Sequence, residues 1–268
     1  MIDGAVRVFA ILGDPVAHSL SPRMQNAAFR ALGLPATYVP LRCSADDLPA
    51  LMGALGKAGG GGNVTVPHKE AAAGAVDLCR ETVQVVEACN TFWNDDGRMV
   101  GENTDVRGLI EALHQLGVSS DAPWFIAGTG GGARAAVTAA RQLDVAVAAG
   151  SRSPDRQRRF ERWITALGVS LASAQECRVL INSTPLGLNP GDPLPIEPCR
   201  FARAEIAFDM VYAAGETPWI RAMRPTVRRA ADGRAMLVAQ GAAAFECWYP
   251  SKPAPVEIMR AAVNAALR

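Results

Sequence analysis

Trp124-Phe125-Ile126-Ala127 runs without a break into Gly128-Thr129-Gly130-Gly131-Gly132-Ala133-Arg134, followed by an alanine-rich stretch to Leu143 and the apolar run Val145 to Ala149. Strand, glycine turn, helix and second strand within about thirty residues is the context that a dinucleotide fingerprint requires. A backbone without side chains can approach a pyrophosphate closely, and the helix N-terminus behind it favours negative charge. Gly128, Thr129, Gly130, Gly131, Gly132 and Ala133 are therefore the candidate phosphate cradle, with a purely structural tight turn as the competing reading. No Gly-Lys-Ser/Thr closes the run, so a P-loop is excluded.

The tip of the second strand narrows the cofactor. An NAD enzyme usually carries an acidic residue there, bonded to the ribose 2′-hydroxyl. Here the tip reads Gly150-Ser151-Arg152-Ser153-Pro154-Asp155-Arg156. Arg152 and Arg156, with the hydroxyls of Ser151 and Ser153, can hold a dianionic 2′-phosphate, which predicts NADP. Asp155 dissents, but it lies past Pro154 and beyond the usual acidic position. The alternative is an ordinary basic helix face, since Arg158, Arg159 and Arg162 follow.

A second stretch, Asn63-Val64-Thr65-Val66-Pro67-His68-Lys69, carries candidate chemistry. Val64 and Val66 suggest a short strand, Pro67 its end and a first helical turn, and Glu70-Ala71-Ala72-Ala73 a helix running to about Cys79. Thr65 and Lys69 would then sit at a strand's C-terminal edge. The 27 Lys and Arg residues include only three lysines. A lysine kept here supplies what arginine cannot, a proton that can leave or a compact point charge. The alternative is a solvated first-turn lysine.

Bulk properties exclude several classes. With 268 residues the chain suits one large or two medium domains, and a net charge of +1 gives no global field for nucleic acid or an anionic membrane. The expected partner is a small molecule. Cys43, Cys79, Cys89, Cys177, Cys199 and Cys247 show no CxxC spacing, so neither a disulfide framework nor a zinc site is expected, and no metal. No secretory signal or bilayer-length apolar stretch is visible, which predicts a cytoplasmic protein.

In chain order, the pattern predicts a strand over residues 6–12 and a helix over 22–32 closed by Gly33. A strand over 37–41, a helix over 45–55 and a four-glycine linker over 59–62 follow. Residues 88–93 and 98–101 flank Asp96-Gly97, a hairpin signal. Asn103 or Thr104 caps a helix over 105–116. Strands over 179–183 and 205–211 follow, then a helix starting at Thr217, one over 236–248 and an amphipathic one over 256–267. Alternating strands and helices imply an α/β fold with a mostly parallel sheet.

Together these motifs resemble the shikimate dehydrogenases over essentially the whole chain. The matching blocks are residues 13–22 (Gly13-Asp14-Pro15 through Ser19-Leu20-Ser21-Pro22), residues 63–69, Ala88-Cys89-Asn90-Thr91, Gly101-Glu102-Asn103-Thr104-Asp105, the glycine loop, Ser151-Arg152-Ser153, Ile181-Asn182-Ser183-Thr184-Pro185-Leu186-Gly187, Asp209-Met210-Val211-Tyr212 and Met236-Leu237-Val238-Ala239-Gln240. The resemblance implies two α/β domains with the active site in the cleft between them. The first is a mostly parallel substrate domain, residues 1–103 completed by C-terminal helices over 240–268. The second is a Rossmann-like NADP domain over 104–239. Either a monomer or a homodimer is compatible with it.

It also implies roles for single residues in the interconversion of 3-dehydroshikimate and shikimate. Lys69 and Asp105 match the catalytic pair, and Ser19 and Ser21 the hydroxyls that bind the carboxylate. Thr65, Asn90, Asp105 and Gln240 match the partners of the ring hydroxyls, and Tyr212 a further substrate contact. Thr184, Met210 and Gly233 match the cofactor side, the last two lining the nicotinamide. Four positions depart from the pattern: Met24-Gln25-Asn26 for Ile-His-Asn, Val106 for Gly, Tyr212-Ala213-Ala214 for Tyr-Asn-Pro, and Gly233-Arg234-Ala235-Met236 for Gly-Leu-Gly-Met. None removes a catalytic group. Together they leave quinate or an amino-shikimate as alternative substrates; a rival of another class is a non-catalytic NADP- and cyclic-acid-binding protein, against which Lys69 and Asp105 argue.

Overall fold

The computed structural model describes residues 6–119, 121–189 and 191–268. The chain folds into two compact units, one from Met1–Gly108 with Leu237–Ala266, the other from Leu109–Met236 with Leu267–Arg268.

The first unit is built on β1 (Arg7–Gly13), β2 (Ala36–Arg42), β3 (Gly61–Val64), β4 (Leu78–Cys79), β5 (Thr91–Asp95) and β6 (Arg98–Glu102), in the order β2-β1-β3-β5-β6-β4. β1 is parallel to β2 and β3, β5 is antiparallel to β3 and β6, and β4 is parallel to β6. The hairpin forms as expected, with φ of 47° at Asp96 and 82° at Gly97, the left-handed pair that a two-residue loop needs.

Several local expectations are corrected. Gly61 and Gly62 are not linker but half of β3. A Cβ on Gly62 would overlap the Ala10 carbonyl, and one on Gly61 the Phe92 carbonyl, so glycine permits the close approach of β1 and β5. The helix after His68 is only Lys69–Ala73, because Asp77 turns the chain back. Its N–H donates to Met99 O (2.8 Å) and its Oδ2 accepts from Met99 N (2.7 Å), which seats β4 beside β6. Pro67 lies in a turn, closed by His68 N donating to Thr65 O (2.9 Å), rather than in a first helical turn. The second helix is Leu48–Lys57 rather than 45–55, since Ser44 and Asp47 spend the preceding residues on a side-chain-locked turn. A helix at Glu81–Val86 went unforeseen.

Two apolar layers hold this sheet. Ala10, Leu12 and Val64 meet Leu48, Met52 and Phe92 in one buried cluster. In another, Phe9 packs on Phe29 (ring centroids 5.3 Å apart) and on Trp248 (4.7 Å), and Phe29 on Phe245. Each such side chain removed from water is worth about 1.5–3 kcal/mol. Phe245 and Trp248 belong to the helix Arg234–Trp248, and the last helix, Val256–Ala266, packs on Ser21–Ala31. Residues 237–266 thus complete the first unit's core.

The second unit is a five-stranded, wholly parallel sheet of β7 (Trp124–Ala127), β8 (Val147–Gly150), β9 (Val179–Asn182), β10 (Ile206–Asp209) and β11 (Arg229–Ala231), in the order β11-β10-β9-β7-β8. The order reverses direction after β8, so a switch point lies between the C-terminal ends of β7 and β9, where doubly wound sheets bind ligands. Those ends are Gly128 and Ser183-Thr184. Among the described residues no helix is long and apolar enough to cross a membrane.

Gly62→Ala places a methyl against backbone that cannot move away. We expect a loss of about 2 kcal/mol in urea unfolding, whereas Gly53→Ala, inside the helix Leu48–Lys57 where a Cβ meets nothing, gains about 0.5–1 kcal/mol.

Candidate active site

In the first unit the strand ends gather Lys69 and Asn90 around one carboxylate. Asp105 lies in the first turn of the helix Thr104–Gln115, with its N–H held by Asn103 Oδ1 (3.2 Å). Asn103 is itself buried and fixed through Nδ2 to Ala88 O (2.8 Å). Asp105 Oδ2 accepts from Lys69 Nζ at 2.6 Å, and Oδ1 from Asn90 Nδ2 at 2.9 Å. Asn90 is 2% exposed, and its Oδ1 accepts from Thr104 N (2.8 Å) and Thr91 Oγ1 (3.0 Å). Lys69 is not the solvated first-turn lysine of the alternative reading, because its side chain is only 23% exposed and paired.

Behind this triad runs a buried polar chain. Tyr38 Oη donates to Asn63 Oδ1 (2.7 Å), and Asn63 Nδ2 to Thr91 Oγ1 (2.9 Å) and Asn90 O (3.1 Å). Each group is satisfied by the next, as a polar network inside a core must be. Thr65 lies at the end of β3 with its N–H on Leu12 O (2.8 Å), and its methyl fills the space a Cβ on Gly13 would need. Gly13 leads into the loop carrying Ser19, whose Oγ accepts from Ser21 N (3.2 Å), while Ser21 is buried at the helix start. Gln240 rides on the helix Arg234–Trp248, where a Cβ on Gly108 would come within 2.7 Å of Gln240 Cβ. Its own Nε2 donates to Leu237 O (2.9 Å).

In the second unit, Gly128 has φ of 115°, and a Cβ there would come within 2.6 Å of Ser183 Oγ. Both observations demand glycine. A Cβ on Gly130 or Gly131 would enter open space, and the helix Gly131–Gln142 has no side-chain cap at Gly130. Its first N–H groups therefore face outward as donors, which is what a pyrophosphate requires. A Cβ on Gly132 would lie 3.3 Å from Met210 Sδ, so Met210 abuts the cradle. Gly233 is pressed against the Met210 carbonyl, where a Cβ would clash. At the tip of β8, Ser151 Oγ accepts from Ser153 N (3.2 Å), and Ser153 Oγ caps the next helix through Arg156 N (3.4 Å). Arg152 and Arg156 are exposed, and Asp155 is ion-paired with Arg158. The donor set fits a phosphorylated ribose. Thr184 Oγ1 donates to Asn182 Oδ1 (2.7 Å), and Tyr212 is half-buried in the segment after β10.

Residues 11–92 match the shikimate dehydrogenase substrate binding domain, and residues 233–263 the shikimate 5′-dehydrogenase C-terminal domain. A shikimate dehydrogenase (NADP(+)) of Synechococcus sp. (strain JA-2-3B'a(2-13)) is 35% identical, covering 99% of this chain and 98% of its own length. That of Thermus thermophilus is 35% identical over 96% of this chain and 98% of its own. The chain belongs to the shikimate dehydrogenase family. A crystal structure of shikimate 5-dehydrogenase from Thermus thermophilus, in complex with NADP(H) and shikimate, superposes with a TM-score of 0.89 at 33% identity, over 97% of this chain and 99% of the other.

A second buried network, whose residues no sequence motif singles out for a role, lies in this shikimate dehydrogenase-family chain. Asn182 and Asp209 end the adjacent strands β9 and β10, both 0% exposed. Asn182 Nδ2 donates to Asp209 Oδ1 (2.8 Å), which also accepts from Val211 N (3.1 Å), while Asp209 Oδ2 accepts from Thr217 Oγ1 (2.7 Å). The signal was available, since Val-Leu-Ile-Asn and Ile-Ala-Phe-Asp each end an apolar strand on a polar residue.

Burial pushes the Asp209 carboxyl up to about 6, against the hydrogen bonds from Thr217, Val211 and Asn182, and the Asp232 carboxylate adds to the rise. Its ordinary value is about 3.9, so between about pH 4 and 6 the folded chain holds a proton that the unfolded chain has lost. The stability contributed by this group is therefore full below about pH 4 and falls as pH rises through about 6, by on the order of 2–3 kcal/mol. Asp209→Asn keeps the geometry and removes the titration. We expect thermal melts from pH 4 to 7 to show the wild-type chain losing stability relative to the variant.

Proposed function

We propose that the protein is an NADP-dependent oxidoreductase interconverting 3-dehydroshikimate and shikimate. One observation carries the chemistry: the 2.6 Å pair of Lys69 Nζ and Asp105 Oδ2, partly buried beside the ends of interior strands and braced by Asn90. Oxidising a secondary alcohol removes a hydride from carbon and a proton from oxygen, and reducing the ketone returns both. NADP, when bound, supplies the hydride acceptor.

The chain's own residues do the rest. Asp105 uses one lone pair of each oxygen on Lys69 and Asn90, which leaves capacity to hold the reacting hydroxyl. Lys69, pointed at the same carboxylate, takes up or returns the hydroxyl proton with Asp105 as a unit. Ser19 and Ser21 bind the substrate carboxylate. Accepting the Ser21 N–H leaves the Ser19 hydroxyl proton for an anion, and charge-assisted bonds of this kind are strong. Thr65, Asn90 and Gln240 bond the ring hydroxyls, and Tyr212 adds a further substrate contact. Gly128 to Ala133 hold the pyrophosphate. Ser151, Arg152, Ser153 and Arg156 hold the 2′-phosphate, Thr184 contacts the cofactor, and Met210 and Gly233 line the nicotinamide. We place the protein in the cytoplasm, in keeping with six free cysteines.

The deciding assay follows the absorbance of reduced NADP with shikimate, quinate and no acid. Turnover that needs shikimate supports the proposal, and its absence with every acid sinks it. Within that assay Lys69→Met should lower kcat about 100-fold or more with little change in KM, the pattern of a lost proton-handling group. A variant that keeps most of its kcat returns Lys69 to a structural role.

The cofactor assignment generates a separate expectation. Replacing Arg152 and Arg156 together with glutamine should weaken NADP binding about 10- to 100-fold for each charged hydrogen bond lost, leaving NAD binding nearly unchanged. Equal use of NAD and NADP by the wild-type chain would overturn the 2′-phosphate assignment.

A further inference from the structure

The segment between β10 and Thr217 carries Met210 and Tyr212 and, after them, the small residues Ala213-Ala214-Gly215, with Gly215 at φ of 78°. Small residues do not hold a loop in one shape. Its near end is tied firmly, by Asp209 to Val211 N and by Gly233 N donating to Val211 O at 3.0 Å. Its far end is tied by Thr217 Oγ1 donating to Asp209 Oδ2 (2.7 Å) and by Arg224 to Glu216, and the stretch between the two ends meets Arg234, the first residue of the helix Arg234–Trp248. Arg234 Nε donates to Asp232 Oδ1 at 2.8 Å, and its Nη2 to the Gly215 carbonyl at 3.4 Å. Asp232 is 7% exposed, its Oδ1 also caps the Arg234 N–H (3.1 Å), and its Oδ2 has no hydrogen-bond partner among the described residues.

We infer that Arg234 is a positioning residue that fixes the Met210–Gly215 loop, and through it Tyr212, for the reaction. A guanidinium is a rigid plane with donors on two sides, so one side can anchor on a buried carboxylate while the other reaches a loop carbonyl. Asp232 locks the anchored side, being at once the helix cap and the counter-ion. The loop and the helix start are thereby joined, with one arginine spanning the distance to a run of small residues. Lysine, with a single nitrogen, cannot hold Asp232 in this geometry and also reach Gly215.

The inference rests on the proposed reaction for its kinetic arm only. Arg234→Met keeps the stem and removes the fork. It should raise KM for shikimate about 5- to 20-fold while kcat stays within about 2-fold, the signature of a misplaced binding group. Arg234→Lys should behave like Arg234→Met. In a Tyr212→Phe background the Arg234→Met effect on KM should vanish, since the two act through one contact. Because Arg234→Met strands a buried carboxylate, the double variant Asp232→Asn/Arg234→Met is measured beside it. It should fold normally and keep the KM defect.

Amide hydrogen exchange supplies the arm that needs no turnover. Residues 210–217 should exchange faster in the double variant while β7, β9 and β10 keep their protection. Unchanged loop exchange overturns the inference whether or not the wild-type chain oxidises shikimate. So does restoration of wild-type KM by lysine, or a KM defect that persists in the Tyr212→Phe background. Loss of protection throughout the second unit's sheet would mark Arg234 as merely structural and equally overturn it.

Discussion

Asp105 is the group on which the first unit's polar architecture converges. It sits where a helix begins, so its own backbone needs an acceptor, which Asn103 provides. Its carboxylate is 11% exposed and would be costly there unless each oxygen were met, and Asn90 and Lys69 meet them. Asn90 can aim its amide at Asp105 only because Thr91 and Thr104 hold its carbonyl side. Thr91 in turn is held by Asn63, and Asn63 by Tyr38. Removing any member leaves a buried donor or acceptor unpaired, at about 1–3 kcal/mol each. The network therefore specifies one arrangement of the strand ends, and stability and site geometry have the same cause.

The second unit repeats the device at its own strand ends. Asn182 and Asp209 close β9 and β10 with a side-chain bond, then turn outward to the loops. Asn182 Oδ1 takes both the N–H and the hydroxyl of Thr184, and Asp209 takes Val211 and Thr217. Two loops proposed to face the cofactor thus depend on one buried pair. Glycine does the complementary work. Gly128, Gly132 and Gly233 are sites where a side chain would meet Ser183, Met210 or the backbone, so the loops close over one another at the switch point.

The parts of this fold legible in the sequence were those with local causes. The β7 strand, its glycine turn and the helix behind it announce themselves, as does the Asp96-Gly97 hairpin, because propensity and turn chemistry act over a few residues. What could not be read was set by distant partners. Gly61 and Gly62 look like linker until Ala10 and Phe92 are known to press on them. The helix after Lys69 stops early because Asp77 finds Met99, 22 residues away. At the site, the residue types at 69, 90 and 105 were recognisable as motifs. That Asn90 rather than solvent faces Asp105 Oδ1, and that Asp209 carries a perturbed carboxyl, are consequences of which groups the fold buries together.

The lysine at position 69 acquires a physical reason from this geometry. A chain that writes most of its cations as arginine would be expected to place one beside a buried aspartate, since a guanidinium pairs with both carboxylate oxygens at once. Here one oxygen already belongs to Asn90, so a fork would compete with it and take up the lone pairs a substrate hydroxyl needs. An ammonium donates a single bond to Oδ2 and leaves the rest of the carboxylate open. It can also give up its proton, which a guanidinium in a protein does not. The pair therefore suits the proposed role of holding a hydroxyl and moving its proton, and an arginine would satisfy the charge while blocking both.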